Sequence, residues 1–302
     1  VLQEGLNWGL LTPHERGGGT LRLQPILPYF LRQRLRDVAQ APFREAVEAA
    51  FCAHYDAVGG ALAQWIRSKE PQERQTGLAL TNLEYENLMT ALQWALEKRL
   101  SFWNYFDSLA SYLRLQQAFR EEIAICQLIL AEREQYPDEL MQGEIGGDFF
   151  KVFGSVANRS LNLKLFKDAE RAYHQAINLV PELTSIPERQ RGLWLGTTYH
   201  QLGMVAEEQR QWETAVAHYE KALAIYVEFN DRYEQAGTYH QLGIVAGEQR
   251  QWETAVAHYQ KALAIKIEFN DRYSQALTYH QLGRVAEEQR QWDIAANHAF
   301  KA

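Results

Sequence analysis

The sequence is poor in cysteine. Only Cys52 and Cys126 occur among 302 residues, and each lies within an apolar helical pattern. Two isolated cysteines supply neither a disulfide framework nor the spacing of a metal site. We therefore expect two reduced thiols in the core of a cytoplasmic protein, and no cofactor in this chain.

Long apolar runs and an excess of basic residues are also missing. No window approaches the roughly 18 consecutive apolar residues of a membrane-spanning helix, and no signal-peptide pattern opens the chain. The net charge of −7 argues against a broad basic surface for nucleic acid or for an anionic membrane. We expect neither of them as a partner.

Motifs of enzyme active sites are absent as well. The run Gly17–Gly19 is followed by Thr20 and Leu21, without the lysine that a phosphate-binding loop needs. No nucleophile elbow and no paired metal-ligand motif occurs. Carboxylates are plentiful, but they fall on helix faces that we expect to be solvated. The sequence predicts that the chain is not an enzyme.

Internal repetition is what the sequence does contain. Residues 197–236 (the first copy) and 237–276 (the second copy) are aligned over forty positions and differ at seven of them. The seven pairs are Thr197/Gly237, Met204/Ile244, Glu207/Gly247, Glu220/Gln260, Tyr226/Lys266, Val227/Ile267 and Glu234/Ser274. A third copy starts at Leu277 and runs to Ala302, inside a repeat, so we expect a piece of a longer protein.

Each copy contains two helical patterns of apolar residues. The first pattern of the second copy begins a few residues before it and runs from about Arg232 to Glu248, and the second pattern runs from about Trp252 to Phe269. Residues 249–251 are predicted to form a tight turn, and Asp271 is predicted to cap the helix that follows. Gly243 is small enough to let the two helices approach closely.

The alternation of aromatic residue, Leu-Gly, aromatic residue and alanine resembles the signature of tetratricopeptide repeats (TPR). Three copies carry it at the same spacing: Tyr199, Leu202, Gly203, Trp212, Ala215 and Tyr219; Tyr239, Leu242, Gly243, Trp252, Ala255 and Tyr259; and Tyr279, Leu282, Gly283, Trp292 and Ala295, with Ala299 where an aromatic residue is expected. Weaker copies contain Phe153, Phe166 and Tyr173, and Phe106 and Phe119. The resemblance implies an all-α protein, an α-solenoid of about five TPR helix pairs over residues 101–302, best defined at 196–235, 236–275 and 276–302.

Residues 1–40 have a different pattern. We predict strands from Leu6 to Thr12 and from Thr20 to Leu23 around a glycine-rich turn, and then a helix from Ile26 to Arg36. A hairpin followed by a helix resembles the end of a winged-helix domain, of which residues 1–40 would be a remnant.

Residues 41–100 are predicted to be a helical connector, and the stretch with Asn87, Leu88, Ala91, Leu92 and Trp94 stands out in it. This stretch resembles the helix that joins a winged helix to TPR units in STAND-type (NB-ARC) regulators. The order of hairpin, connector and repeats is similar to the C-terminal half of that family. The resemblance implies the sensor region of a signalling ATPase whose nucleotide-binding domain is not in this sequence.

A binding face is predicted from the register of the first helix in each copy. A histidine, a middle residue and a glutamate recur at i, i+4 and i+8, which places them on one helix face. These residues are His200, Met204, Glu208, His240, Ile244, Glu248, His280, Arg284 and Glu288. The TPR resemblance implies that they line a concave groove, and such a groove suits an extended peptide or a helix with basic or polar groups.

For the three groove histidines we expect a hydrogen bond to a ligand or to a neighbouring helix, and not metal binding. Neighbouring helices lie about 8–10 Å apart, whereas zinc–nitrogen bonds are about 2.0–2.1 Å long. The histidines of the second helices, His218, His258 and His298, are predicted to lie on the outer face or between helices. Trp212, Trp252 and Trp292 are predicted to anchor the core.

Several alternatives remain open at this stage. The groove face could be a solvated surface of a passive TPR scaffold. Arg32, Arg34 and Arg36 leave a DNA-contacting regulator open, because basic side chains can position a protein on phosphates. The apolar helix face at the end of the last copy predicts self-association, since solenoids normally cover such a face with an atypical terminal unit.

Overall fold

The computed structural model describes residues 11–13, 21–23 and 41–302. Residues 41–302 are helical, and fourteen α-helices occur in this range. They are α1 (Ala41–Ile66), α2 (Pro71–Leu83), α3 (Tyr85–Glu97), α4 (Trp103–Leu115), α5 (Phe119–Ala131), α6 (Asp138–Met141), α7 (Glu144–Asn162), α8 (Phe166–Leu179), α9 (Glu188–Glu208), α10 (Trp212–Glu228), α11 (Arg232–Glu248), α12 (Trp252–Glu268), α13 (Arg272–Glu288) and α14 (Trp292–Lys301). None of these helices combines the length and the apolar character that a membrane crossing requires.

Two short strands precede the helices. Strand β1 (Leu11–Pro13) pairs antiparallel with β2 (Leu21–Leu23), and Leu11 lies opposite Leu23. The rest of the predicted hairpin and the predicted helix from Ile26 to Arg36 lie outside the described residues. The winged-helix interpretation of residues 1–40 therefore stays a prediction.

The chain divides into two compact units, of which the first comprises Val1–Leu100 and Asn104–Leu109. Helix α1 packs against α2 and α3 in this unit. The Tyr105 hydroxyl donates a hydrogen bond to the Cys52 carbonyl oxygen at 2.8 Å. Cys52 is buried and free, as is Cys126 in the other unit, and the prediction of two core thiols is confirmed.

The second unit comprises Ser101–Trp103 and Ala110–Ala302 and contains the repeats. Helices pack in the pairs α7–α8, α9–α10, α11–α12 and α13–α14, and each pair contacts the next through its neighbouring helices. One apolar cluster forms where two pairs meet: Ala215 and Tyr219 of α10 pack with Leu242 and Val245 of α11. The core of this unit therefore runs along the stack of helices from pair to pair.

The turns between helices have the same geometry in every copy. Arg210, Arg250 and Arg290 adopt a left-handed backbone with φ between 57° and 59°. The next amide closes the turn by a hydrogen bond to a carbonyl five residues earlier, as in Gln251 N to Ala246 O at 2.9 Å. Asp271 caps α13 by accepting a hydrogen bond from the Ser274 backbone N–H, so the predicted cap is confirmed.

Glycine brings the two helices of a pair into contact. A Cβ atom added at Gly203 or Gly243 would lie 2.5 Å from the ring of Tyr219 or Tyr259, which is closer than any van der Waals contact. Trp212 and Trp252 are half-buried and pack against the clusters between pairs. The prediction is wrong for Trp292, which is 65% exposed, whereas Trp252 packs with Leu282 and Val285 of the following helix pair.

Candidate recognition site

The first helices of successive pairs lie side by side and are joined by histidine–threonine contacts. His200 Nδ1 of α9 lies 3.1 Å from Thr238 Oγ1 of α11, and His240 Nδ1 of α11 lies 3.2 Å from Thr278 Oγ1 of α13. Each histidine therefore contacts the next repeat as well as its own helix. A hydrogen bond of a groove histidine to a neighbouring helix is thus present for His200 and His240.

The hydrogen-bond network fixes which ring nitrogen carries the proton. The hydroxyl of Thr238 donates to the Glu234 carbonyl, and that of Thr278 donates to the Ser274 carbonyl. A hydroxyl has one proton to donate, so each histidine must donate from Nδ1 to its threonine. The Nε2 atoms of His200 and His240 are then left as hydrogen-bond acceptors.

Burial keeps these two histidines neutral. It lowers the pKa of His200 to about 4. Burial also lowers the pKa of His240 to about 4, and the nearby charge of Lys266 adds to the effect. Both rings are therefore neutral near pH 7. His280 is exposed.

The other predicted groove residues follow on the same helix faces. Glu208, Glu248 and Glu288 are exposed, Met204 and Ile244 are half-buried, and Arg284 is exposed. Besides these, Glu207 accepts a hydrogen bond from the Tyr219 hydroxyl at 2.7 Å. Burial raises the pKa of Glu207, and the charges of Glu208 and Glu248 raise it further. We call the face of α9, α11 and α13 that bears the nine predicted residues the groove face.

A cavity of about 260 Å³ lies on the groove face between the second and third copies. We call it the tyrosine cavity, because Tyr259 lines it. Four predicted groove residues also line it: Ile244, Glu248, Arg284 and Glu288. Gly247 stands where the first copy has Glu207, so no carboxylate of this repeat covers Tyr259 as Glu207 covers Tyr219.

A second cavity, of about 320 Å³, is lined by Lys266 together with His200 and His240. We call it the lysine cavity. Lys266 is 7% exposed, and its Nζ donates to Thr278 Oγ1 at 2.8 Å. Burial lowers the pKa of this amine to about 8, while the charge of Asp271 acts in the opposite direction.

Comparison with known proteins assigns the repeats. Residues 194–268 and 234–302 match the tetratricopeptide repeat family. This part of the chain consists of TPR units. No curated protein matches the sequence.

Solved structures share the fold at low sequence identity. BtubC from P. vanneervenii is 14% identical with a TM-score of 0.56, and the match covers 83% of this chain and 89% of BtubC. The apo form of RapI is 16% identical with a TM-score of 0.55 over 65% of this chain and 67% of RapI. A STAND protein with a tetratricopeptide repeat sensor from Pyrococcus horikoshii is 14% identical with a TM-score of 0.54.

The match to the STAND protein covers 99% of this chain but only 44% of that protein. At such identities the three structures show the fold alone. The match of the repeats to the tetratricopeptide repeat family indicates a part in protein–protein interaction.

The histidines of the second helices form a second repeated pattern. His218 and His258 of the second helices stack on Tyr199 and Tyr239 with ring centroids 6.2 and 6.1 Å apart. Lysine side chains cover the same tyrosines, as Lys261 covers Tyr239 at 5.2 Å. The predicted inter-helix placement of these histidines is confirmed.

Sequence reasoning missed most of the other residues that line the two cavities, among them Gly247, Tyr259 and Lys266. Tyr259 was interpreted only as a core residue of the TPR signature. The signal for the other two was present, because both are among the seven positions at which the first two copies differ. A residue that changes within an otherwise repeated unit marks a local difference in packing or in surface.

Proposed function

We propose that the TPR units bind a protein segment on the groove face, and that the chain recognises a partner rather than catalysing a reaction. The observation that carries the proposal is the set of acceptors on this face. His200 and His240 each present a neutral Nε2 acceptor, and Glu208, Glu248 and Glu288 follow at regular spacing. A guest with many hydrogen-bond donors matches this pattern.

Charge favours a basic guest. The nine residues of the groove face include three exposed carboxylates and one guanidinium, that of Arg284. Hydrogen bonds from lysine or arginine to carboxylates are about twice as strong as neutral ones. Electrostatic attraction would also speed the encounter with a positively charged segment.

We further propose that the chain is the sensor part of a larger STAND-type signalling ATPase. The order of segments in the sequence and the likeness of nearly the whole chain to a STAND protein with a TPR sensor support this context. In such a protein a guest would shift the ATPase between two states only to the extent that it binds one state more tightly. Binding of a selected guest should then change the rate of ATP hydrolysis by the full-length protein.

The direct test is selection from a library of random displayed peptides. Wild-type protein should enrich peptides with more lysine and arginine than the input. The triple variant Glu208→Gln/Glu248→Gln/Glu288→Gln should bind the selected peptides at least about tenfold more weakly, since each lost charged hydrogen bond is worth about 1.5–3 kcal/mol.

A matched control is available on the second helices. Glu213→Gln/Glu253→Gln/Asp293→Asn removes the same number of exposed carboxylates outside the groove face and should leave affinity unchanged. Equal loss in both variants would show that only net charge matters. Failure to enrich any peptide would favour a passive scaffold, and a steeply salt-dependent affinity for duplex DNA would favour a DNA-contacting regulator.

A further inference from the structure

The positions at which the first two copies differ are concentrated around the two cavities. Gly237, Lys266 and Ser274 of the second copy line the lysine cavity, and Ile244 and Gly247 line the tyrosine cavity. The two remaining differences, at Gln260 and Ile267, are exposed. Two copies with the same fold thus differ mainly in the spaces that they enclose.

The first copy shows what fills the position of the lysine cavity. Tyr226 occupies the site of Lys266 and is 1% exposed. Its hydroxyl donates to Thr197 Oγ1 at 3.3 Å. Its ring lies so close to Gly196 that a Cβ there would come within 2.9 Å of it. A phenol ring is therefore buried against the start of this repeat.

In the second copy the ring has no counterpart. Lys266 extends to Thr278 in the next repeat instead of toward Gly237, which replaces Thr197. A Cβ added at Gly237 would meet nothing within 4 Å. The resulting cavity, of about 320 Å³, lies at the lower end of the roughly 300–1,000 Å³ of ligand pockets.

The polar groups of the lysine cavity suit a neutral hydroxyl better than an anion. Lys266 uses one of its three N–H donors on Thr278, so two donors remain. A phenol oxygen could accept from Lys266 and donate to a carboxylate of the lining. Glu234 and Asp271 also line the cavity, and their carboxylates would repel a free carboxylate or phosphate.

We propose that the lysine cavity binds a phenol ring, supplied by a tyrosine side chain of the protein guest. The assignment of the ring to a guest rests on the proposed function. The ring would lie against Ala236 and Gly237, with its hydroxyl beside Lys266. The cavity would then select tyrosine at one position of the bound segment.

The test uses p-cresol, the tyrosine side chain as a free molecule, titrated into the whole chain and followed by protein NMR. Saturable binding with a Kd on the order of 1 mM is expected. Toluene, which lacks the hydroxyl, should bind at least about tenfold more weakly, because hydrogen bonds to charged groups contribute that much. Equal binding of both compounds, or no saturation by p-cresol at concentrations well above that Kd, would overturn the proposal.

Two variants test whether p-cresol binds in the lysine cavity. Ala236→Gly/Lys266→Tyr restores the glycine and the tyrosine that pack together in the first copy, so the protein's own ring should fill the cavity and abolish p-cresol binding. Lys266→Met keeps the space but removes the ammonium, and should weaken binding about tenfold. Circular dichroism confirms that each variant is folded. Unchanged p-cresol binding in the folded Ala236→Gly/Lys266→Tyr protein would place the ligand elsewhere and refute the site.

The displayed peptides test whether a tyrosine of the guest supplies the phenol ring. Peptides selected by the wild-type protein should contain tyrosine at one position, and replacing it by phenylalanine should weaken binding about tenfold in the wild type but not in Lys266→Met. If p-cresol binds and this replacement has no effect, the assignment to a guest tyrosine is wrong. If no peptide is selected but p-cresol binds, the proposed function fails while the phenol site stands.

Discussion

The first and second copies have the same backbone and different interiors. In the first copy the Tyr226 ring and the Glu207 carboxylate fill the spaces beside the first helix. In the second copy Lys266 and Gly247 leave both spaces open. The helix pair is therefore specified by residues that both copies share, and the cavities are specified by the few residues that differ.

The third copy extends this comparison because it departs at a shared position. Ala299 replaces the tyrosine that packs on glycine in the first two copies. A Cβ added at Gly283 would meet only His298 Cβ at 3.6 Å and a backbone oxygen at 3.8 Å. The glycine is thus sterically required in two copies and not in the third.

The largest expected effect follows from this difference. Gly243→Ala should lower the free energy of unfolding by about 1–3 kcal/mol, because its methyl group would overlap the Tyr259 ring and overpacking costs this much. Gly283→Ala should raise it by about 0.5–1 kcal/mol, since alanine is the better helix former. Urea denaturation of both variants measures the two effects. The same sign in both would contradict the steric argument.

The second effect is a change of stability with pH that arises from Lys266, at the position where the first copy has Tyr226. The folded-state pKa of Lys266, about 8, lies below the ordinary value of roughly 10.4. Between these two pH values the unfolded chain binds more protons than the folded chain, so the free energy of unfolding rises with pH. We expect a gain of about 2 kcal/mol between about pH 7 and pH 9.5 from this group.

Lys266→Met removes the titrating amine. Its free energy of unfolding should therefore rise less between the two pH values than that of the wild type. Urea denaturation of both proteins at the two pH values measures this change. Other titrating groups contribute equally to both proteins, so their contributions cancel when the two changes are compared. Lys261→Met, on the exposed side of the same helix, is the control and should keep the wild-type rise of stability between the two pH values. Parallel pH profiles for the wild type and Lys266→Met would mean that the buried amine does not carry the effect.

The sequence predicts the helices better than it predicts the side-chain contacts of the candidate site. The period of forty residues, the helices of the second copy and the cap at Asp271 follow from local patterns, and the structure contains them. The contact of His200 with Thr238 could not be predicted, because it joins residues 38 positions apart in different helices. The lysine cavity depends on where Lys266 turns its side chain, which spacing along one helix does not determine.

The smallest expected effect concerns the exposed end of the third copy. Trp252 packs against the following repeat, whereas Trp292 and Phe300 are 65% and 93% exposed. Burial of these side chains against a second copy of the chain would remove apolar surface from water. We expect weak self-association with a Kd on the order of 1 mM, measured by sedimentation equilibrium at several concentrations.

Trp292→Gln/Phe300→Ser should abolish this self-association, because it removes the two most exposed apolar side chains of α14. The control is Val227→Ser/Ile267→Ser, which removes two other exposed apolar side chains on α10 and α12 and should associate like the wild type. If both variants associate equally, the contact lies elsewhere on the surface. If the wild type remains monomeric at millimolar concentration, the exposed edge of α14 is not a contact surface, and the third copy differs from the second in packing but not in assembly.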